Sequence, residues 1–438
     1  MLSPNVFIAR RTIIAGLALA LAVLSACSYD SSAPTYPDGP PPSPTRSAAG
    51  VVYCRGAEPE WVAFQDGDGA WTRAQPIASG QYTSFHYEFA SNRAAVARAQ
   101  QFASGLTSLA ILYAIPSELG FVSDTAFQQC SGDALKTLNG SVSGLEANDV
   151  ALVSTGNSLR DFTNLENGNT WQLSGLLAGP QEFLATRAAR VNGVVSVSKM
   201  ILRRSPSLAD GATLPVFDFE SPEAFQPEVR TVTFVGNDAS AVTAYTQLRT
   251  EHSNNFVTLL AAGGANVSSP YFAIPESRLR PGEVQSVGAS TVPAGNVVRS
   301  AAVFFRSPED RTLTFGAMPS APELRLVSAT PTARLRAHFA MQADYDRYTS
   351  INFQQGQNTV VSLSMSQAYA TLAPGGYDLV IPELTGVTGF DQRWALHTGT
   401  QLLWTSARFG GSFAWNNSAV PREGDVSRAA SDAGFITP

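Results

Sequence analysis

The sequence predicts an all-β protein in which several consecutive β-sandwich domains of immunoglobulin-like architecture follow a proline-rich tether. The chain has 438 residues, which is too many for one ordinary core. Its 35 glycines and 27 prolines suit many short strands joined by tight turns. Beyond residue 50, short apolar runs alternate with groups of Gly, Pro, Asn, Asp and Ser, as in sandwich proteins.

The N-terminus carries an export signal. Arg10 and Arg11 precede an apolar stretch at 12–24, which is too short to span a membrane comfortably. The sequence LSAC at 24–27 begins at the end of this stretch and ends at Cys27. It resembles a bacterial lipobox. The resemblance implies cleavage before Cys27, a diacylglyceryl group on its thiol and an acyl chain on its new amino group. An ordinary cleaved signal and an uncleaved anchor are the alternatives.

The same resemblance places the protein in the bacterial cell envelope, attached to a membrane through its lipid anchor. Ser28 follows the cysteine, where many lipoproteins retained at the inner membrane have Asp, so the outer membrane is expected in a Gram-negative host. The formal net charge of −6 argues against a nucleic-acid partner, which needs a basic face. The expected partners are an envelope protein or a polysaccharide.

Two cysteines remain after lipidation. Thiols of an exported protein usually pair in an oxidising compartment, so a disulfide between Cys54 and Cys130 is expected. It would close a loop of about 75 residues and add about 4 kcal/mol of stability in the chain-entropy model. A catalytic cysteine is the alternative, but no histidine is near either position in the sequence.

Changes in composition along the chain set the predicted domain boundaries. Six prolines between Pro34 and Pro44, mixed with Ser, Thr, Gly and Asp, indicate a semi-extended tether. The predicted segments are a signal peptide (1–26), the lipidated cysteine and tether (27–50), four β-sandwiches (51–133, 134–212, 213–320 and 321–417) and a disordered tail (418–438).

In the first block, residues 61–65 and 70–73 flank the sequence DGDG, which predicts a hairpin with a glycine-rich turn. The stretch 94–102 is rich in alanine and leaves helix and strand open. In the third block, the strands predicted at 298–306 and 311–315 flank the sequence SPED, which is a favourable type I turn and predicts a second hairpin.

The second block carries a family resemblance. The sequences LNGSVSGL (138–145), VALV (150–153), WQLSGLLAG (171–179) and FLAT (183–186) resemble the carboxypeptidase-regulatory-like, or transthyretin-like, β-sandwich. The likeness covers residues 138–204, and the sequence PQE at 180–182 departs from the aromatic strand start that is frequent in the family. The resemblance implies an accessory or spacer module with no active site of its own.

No motif for catalysis, metal binding or cofactor binding is present in the sequence. The four histidines, His86, His252, His338 and His397, have no metal-ligand spacing, and no Gly-x-Ser-x-Gly or phosphate-binding loop occurs. No catalytic residue, metal or cofactor is therefore predicted. A Ser-His-Asp set assembled from distant positions stays open.

Two constellations are candidate binding surfaces. One set of basic residues alternates with apolar residues: Arg334, Arg336 and His338. They therefore share one face of a predicted strand. This face is either a basic stripe for an anionic partner or an ordinary solvated face. Trp394, Trp404 and Trp415 are ten and eleven residues apart. Exposed on neighbouring strands they would form a platform for sugar rings, and buried they would belong to the core.

The sequence alone therefore favours a non-enzymatic, lipid-anchored envelope protein that binds a partner or acts as a spacer or scaffold. A glycan-binding module that uses the three tryptophans is the first alternative. A secreted hydrolase without a recognisable motif is the second.

Overall fold

The structure is a computed structural model that describes residues 47–54, 58–80, 82–119, 122–123, 136–155, 160–176, 180–191, 194–205, 209, 211–238, 240–250, 253–265, 267–291, 296–412 and 421–438. Across these residues the protein is nearly all β and contains several sheets, which confirms the predicted fold class. Its sheets pack face to face over separate hydrophobic cores.

The described part of the first block contains eight strands, and the first of them begins at Ser47, within the segment predicted as tether. They are β1 (Ser47–Cys54), β2 (Trp61–Asp66), β3 (Thr72–Arg73), β4 (Ile77–Ser79), β5 (Tyr82–Phe89), β6 (Ala94–Gln101), β7 (Thr107–Ala114) and β8 (Val122–Ser123). A sheet in the order β4-β5-β1-β8 faces β2, β6 and β7 across a core that includes Tyr53, Phe85 and Tyr87. The predicted hairpin of β2 and β3 is confirmed, and in its turn the Gly69 N–H donates to the Asp66 carbonyl at 3.0 Å.

The alanine-rich stretch is strand β6, and both of its faces are buried. Ala94 and Val96 belong to the first core, whereas Ala95 and Ala97 belong to the core of the fourth block on the opposite face. Small side chains on both faces let two cores approach one strand closely. The alternation of apolar and polar residues that marks a half-buried strand is absent for the same reason.

The described part of the second block contains seven strands and extends beyond the predicted boundary at residue 212, because the strand Phe217–Asp218 pairs with Lys136–Ser143. The strands are β9 (Lys136–Ser143), β10 (Asp149–Thr155), β11 (Arg160–Thr163), β12 (Thr170–Leu176), β13 (Gln181–Val191), β14 (Val194–Ser205) and β15 (Phe217–Asp218). Sheets in the orders β11-β10-β13-β14 and β12-β9-β15 enclose a core that includes Trp171. Beside this core, the Arg187 side chain is 7% exposed and contacts Asp149 at 2.6 Å, Glu146 at 2.7 Å and Glu220 at 3.0 Å.

The described part of the third block also contains seven strands. They are β16 (Glu228–Val235), β17 (Val242–Thr250), β18 (Ser253–Ala265), β19 (Ser268–Ala273), β20 (Val284–Thr291), β21 (Val298–Phe305) and β22 (Arg311–Thr314). The predicted hairpin of β21 and β22 is wrong, because β22 pairs in parallel with β16 in a different sheet. The turn at 307–310 carries the chain across the core, so Phe305 and Leu313 meet inside it from opposite sheets.

In the fourth block and the C-terminus, the described residues form seven strands, one short α-helix and two 3-10 turns at Ala343–Tyr345 and Gln392–Trp394. The strands and the α-helix are β23 (Glu323–Ser328), β24 (Arg334–Phe339), β25 (Tyr348–Gln355), β26 (Thr359–Ser366), α1 (Gln367–Leu372), β27 (Tyr377–Val380), β28 (Leu402–Gly411) and β29 (Val426–Ile436). The sheet β23-β24-β27 covers the largest core, which also receives side chains from β2, β6 and β7 of the first block.

One sheet of twelve strands joins the first, third and fourth blocks. Its order is β18-β17-β20-β21-β29-β28-β25-β26-β7-β6-β2-β3. The first and fourth blocks meet where β26 runs parallel to β7, with Leu363 opposite Ile111. The blocks are therefore connected by backbone hydrogen bonds across the sequence boundaries, in addition to following one another along the chain.

The predicted disordered tail is wrong for residues 426–436, which form β29. This strand lies between β21 and β28 in the interior of the twelve-stranded sheet. Ala430 and Ala433 are buried there. The sequence did not indicate this strand, because most of its residues are polar or small. A central strand forms backbone hydrogen bonds with a neighbour on each side and needs little apolar surface of its own.

Candidate functional site

A cleft of about 470 Å³ lies where the first and fourth blocks meet. We call it the Trp71 cleft. Its lining residues are Gln65, Asp68, Trp71, Arg93, Tyr113, Arg334, Met365, Tyr369, Ala373, Pro374, Asp378, Val380, Pro382 and Glu383. One wall contains residues of the β2–β3 turn and Arg93, which precedes β6. The other wall contains residues of α1 and β27 and the residues after each of these elements. The walls are some 300 residues apart in sequence, and the parallel pairing of β7 with β26 brings them together.

Three aromatic side chains give the cleft its apolar surface. Trp71 is half-buried and packs against the core of the fourth block. Tyr113 on β7 and Tyr369 on α1 have ring centroids 5.4 Å apart, and the Tyr113 hydroxyl donates to the Val380 carbonyl at 2.7 Å. Burial raises the pKa of both phenols, and for Tyr113 the neighbouring Tyr369 adds to the effect. Both hydroxyls are therefore neutral at physiological pH.

Arg93 and Asp68 form one charged edge of the cleft. They make a direct ion pair in which the Asp68 side chain stays 79% exposed. The Arg93 guanidinium also lies over the Tyr369 ring, 5.7 Å from its centroid. The hydrogen bond to Asp68 raises the pKa of Arg93. This edge thus offers an exposed carboxylate next to a cation fixed on an aromatic face.

The opposite edge contains Arg334, Asp378 and Glu383. Arg334 Nε donates to the Ile381 carbonyl at 3.0 Å, and its Nη1 lies 3.8 Å from Glu383 Oε2. A hydrogen bond from the Thr385 hydroxyl lowers the pKa of Glu383. Two arginines and three carboxylates therefore line the site and give it a formal charge of only −1, which suits an uncharged ligand rich in hydrogen-bonding groups.

A second depression, of about 550 Å³, lies on the third block. Its polar groups have partners within the chain. Arg230 Nη2 lies 2.7 Å from Glu228 and its Nε donates to the Pro308 carbonyl at 3.1 Å, while Asp310 accepts from the Thr231 N–H at 2.8 Å. None of its described lining residues is aromatic, so the Trp71 cleft is the better candidate site.

The predicted tryptophan platform is wrong for the two tryptophans that can be placed. Trp394 is 3% exposed and packs against Trp61, with ring centroids 6.1 Å apart. Trp404 is 8% exposed, faces inward from β28 and lies over Gly434. Both belong to the core of the fourth block, where an apolar ring of this size gains most by leaving water. Trp415 lies outside the described residues.

The predicted basic stripe shares one strand face, as expected, but its charge is compensated. In β24 the residues Arg334, Arg336 and His338 are each more exposed than the buried residues that follow them. Asp378 accepts from Arg336 Nε at 2.6 Å and from its Nη2 at 2.5 Å. His338 lies opposite Glu323 on one side and Asp378 on the other. The face is a mixed one, because carboxylates from neighbouring strands accompany the basic residues.

Several predicted residues cannot be placed. Cys27 and Cys130 lie outside the described residues, and Cys54 ends β1 opposite Tyr82. The lipid anchor and the disulfide therefore stay predictions. Within the described ranges, no three His, Cys, Asp or Glu side chains are grouped so that they could hold a metal ion. The helices described here include none with the length and apolar character needed to cross a membrane.

Among the residues that line the cleft, only Arg334 was a predicted site residue, as part of the basic stripe. Trp71 was expected only as part of the hairpin, and no local pattern marked Arg93 or Tyr369. One local signal was present, since Trp71 follows the exposed turn DGDG by a single residue and an aromatic side chain beside a turn is often partly exposed. The other wall of the cleft had no such signal.

Comparison with known proteins adds no family assignment, because no family model and no curated protein matches the chain. The lipobox and the carboxypeptidase-regulatory-like likeness of residues 138–204 rest on the sequence motifs.

Proposed function

We propose that the protein is a lipid-anchored binding protein of the bacterial cell envelope, and that it holds a glycan in the Trp71 cleft. The cleft itself carries this proposal. Sugar rings present C–H groups that pack on aromatic faces, and Trp71, Tyr113 and Tyr369 supply three such rings. Sugar hydroxyls pair well with charged planar groups such as those of Arg93 and Glu383. The near-neutral lining favours an uncharged glycan over a polyanion.

The chemistry of the lining favours binding over hydrolysis. A glycosidase needs one carboxylic acid whose raised pKa keeps it protonated. In the cleft the pKa of Glu383 is lowered. Asp378 accepts hydrogen bonds from Nε and Nη2 of Arg336, and Asp68 forms an ion pair with Arg93. Among the described residues that line the cleft, none is Ser, Thr, Cys or His. The charged groups present can orient a ligand through hydrogen bonds.

The decisive experiment measures retention of the purified chain on insoluble peptidoglycan, chitin and cellulose. Trp71→Ala removes the half-buried aromatic face and is expected to weaken retention at least about tenfold, equivalent to about 1.4 kcal/mol. Phe435→Ala is the matched control, because Phe435 is also aromatic, is 63% exposed and does not line the cleft. Equal retention of the two variants and the wild type would refute the glycan site.

The anchor is tested separately. Cys27→Ser is expected to move the protein from the detergent-rich to the aqueous phase in detergent partitioning, because the lipidated thiol is lost. Persistence in the detergent-rich phase would contradict the lipobox.

A spacer or scaffold role is the second candidate, and the twelve-stranded sheet favours it. Strands are about 4.8 Å apart, so the sheet extends about 53 Å across its strands. A continuous ladder of this width makes three of the four blocks a connected unit. Such a unit would present the cleft at a defined distance from its tether.

A further inference from the structure

We propose that the free edge of β23 (Glu323–Ser328) binds the same strand of a second copy of the chain, antiparallel, with Leu324 opposite the partner's Leu324. The proposal is independent of the glycan site and adds a surface for self-association. Three features of the described residues support it: the position of the strand in its sheet, the direction of its backbone groups, and a charge pattern that is complementary to itself.

The strand β23 lies at the edge of its sheet and exposes apolar side chains. The sheet has the order β23-β24-β27, so β24 is the neighbour with which β23 pairs in the described part of the chain. Leu326 is 44% exposed and Val327 is 47% exposed. An edge strand with exposed apolar residues is a template for pairing with another chain. The edge of β23 can therefore receive a further strand.

The pairing of β24 shows which backbone groups of β23 face away from the sheet. The Ile381 N–H donates to the Leu335 carbonyl at 2.9 Å, so the odd-numbered residues of β24 direct their backbone groups toward β27. The even-numbered residues of β24 then face β23, where they lie opposite odd-numbered residues. Because these directions alternate along an antiparallel ladder, Leu324 and Leu326 direct their N–H and carbonyl groups to the free edge.

Two opposite charges lie on the solvent side of β23. The side chains of Glu323 and Arg325 are 66% and 74% exposed, and their Oε2 and Nη2 atoms are 3.4 Å apart. On the β24 side, Arg325 lies opposite Arg336, whose Nε donates to Asp378 at 2.6 Å. Like charges directly opposite each other are unfavourable. A carboxylate on the free side of Arg325 would offset this repulsion.

A second copy supplies that carboxylate in one register. Residues that face the free edge must pair with one another, so Leu324 can lie opposite the partner's Pro322, Leu324 or Leu326. The first register places Glu323 opposite the partner's Glu323, and the last places Arg325 opposite the partner's Arg325. With Leu324 opposite the partner's Leu324, each Arg325 lies opposite a Glu323 of the other copy. Opposite charges in these positions stabilise a ladder, so this register is the favoured one.

The same register also satisfies backbone groups and covers apolar surface. The N–H and carbonyl of Leu324 would bond to those of the partner's Leu324, and the Leu326 N–H would donate to the partner's Pro322 carbonyl. The Leu326 side chain would pack on the partner's Pro322 and lose exposed area. The arrangement is a two-fold one, as in most homodimers. Because a single pair of strands forms a small interface, a dissociation constant of about 10–100 µM is expected.

The experiment is sedimentation equilibrium of the full-length chain in a density-matched detergent, over a concentration range that brackets this dissociation constant. The test variants are Glu323→Arg and Arg325→Glu. Each variant alone places like charges opposite each other at two symmetry-related positions, so its dissociation constant should rise at least about tenfold. An equimolar mixture of the two variants again places arginines opposite glutamates, and it should associate as strongly as the wild type.

The control variant is Arg160→Glu. Arg160 is an exposed arginine on β11, which is the edge strand of the sheet β11-β10-β13-β14 in the second block. The variant changes the net charge by the same amount as Arg325→Glu, and it should dimerise like the wild type. Equal weakening by both variants would mean that overall charge sets the association, which refutes pairing through β23.

Rescue in the mixture distinguishes pairing in this register from simple damage to the fold, because a misfolded variant would not regain association when mixed with another. A wild type that stays monomeric up to about 0.5 mM, well above the expected dissociation constant, would refute self-association. A dimer that neither charge reversal weakens would refute the β23 interface. A mixture that associates no better than the single variants would refute the register with Leu324 on the two-fold axis.

Discussion

The position of β29 inside the twelve-stranded sheet makes the C-terminus sensitive to a single proline. Ser431 lies in the middle of β29, opposite Val298 on β21 and Ala407 on β28. Ser431→Pro removes one N–H from the ladder and leaves its acceptor unpaired between two strands. The lost bond is worth about 1 kcal/mol, the unpaired acceptor costs about 1–3 kcal/mol, and the ring also clashes with its neighbours. We expect a total loss of about 3–4 kcal/mol.

Differential scanning calorimetry checks this value. For a cooperative unit of 150–250 residues, each kcal/mol lowers the melting temperature by about 2–4 °C, so Ser431→Pro should lower it by about 6–16 °C. Thr437→Pro is the matched control, because Thr437 follows the end of β29 and is exposed. If both variants melted within 1 °C of the wild type, roughly the precision of the scan, the placement of β29 in the sheet would be wrong.

Three further predictions concern buried charge and the cysteines. Arg187→Met leaves the buried Asp149 without its cation and should destabilise the second block by about 3–5 kcal/mol in urea unfolding. Arg325→Met is the control, because this side chain is 74% exposed, and it should cost under about 0.5 kcal/mol. Burial raises the pKa of Asp432, so the folded state binds its proton more tightly and stability falls as pH rises through that pKa. Asp432→Asn should therefore raise the melting temperature at pH 7. This increase should disappear below about pH 4. Thiol labelling of the denatured, unreduced mature protein should find Cys54 and Cys130 unreactive, and labelling of both would disprove the disulfide.

Local sequence patterns predicted much of the fold class, but they did not predict which strands pair with one another. Alternation and turn residues predicted β24 and the hairpin of β2 and β3, because both depend on neighbours in sequence. The turn at 307–310 was recognised, but turn chemistry specifies only a change of direction and not which sheet receives the next strand. The parallel pairing of β26 with β7 joins residues about 250 positions apart, and no local pattern encodes it.

The candidate site was less predictable than the fold for the same reason. Whether a tryptophan is a platform or a core residue depends on what packs over it, and the spacing of Trp394 and Trp404 is compatible with both. The second layer of the fourth block covers these two rings. Trp71 keeps part of its ring at the surface because it lies at the junction of two blocks, and that junction exists only in the folded chain.

The same long-range pairing links ligand binding to completion of the fold. One wall of the Trp71 cleft contains Arg93 near the start of the chain, and the other contains Tyr369 and Glu383 near its end. The site therefore forms only after β26 has paired with β7, a contact of high sequence separation that is expected to form late. A ligand that binds both walls stabilises this junction by RT ln(1 + [L]/Kd), which is about 2.7 kcal/mol at a hundredfold excess over Kd. The pairing of β7 with β26 should consequently be the part of the sheet whose hydrogen exchange slows most when a ligand fills the cleft.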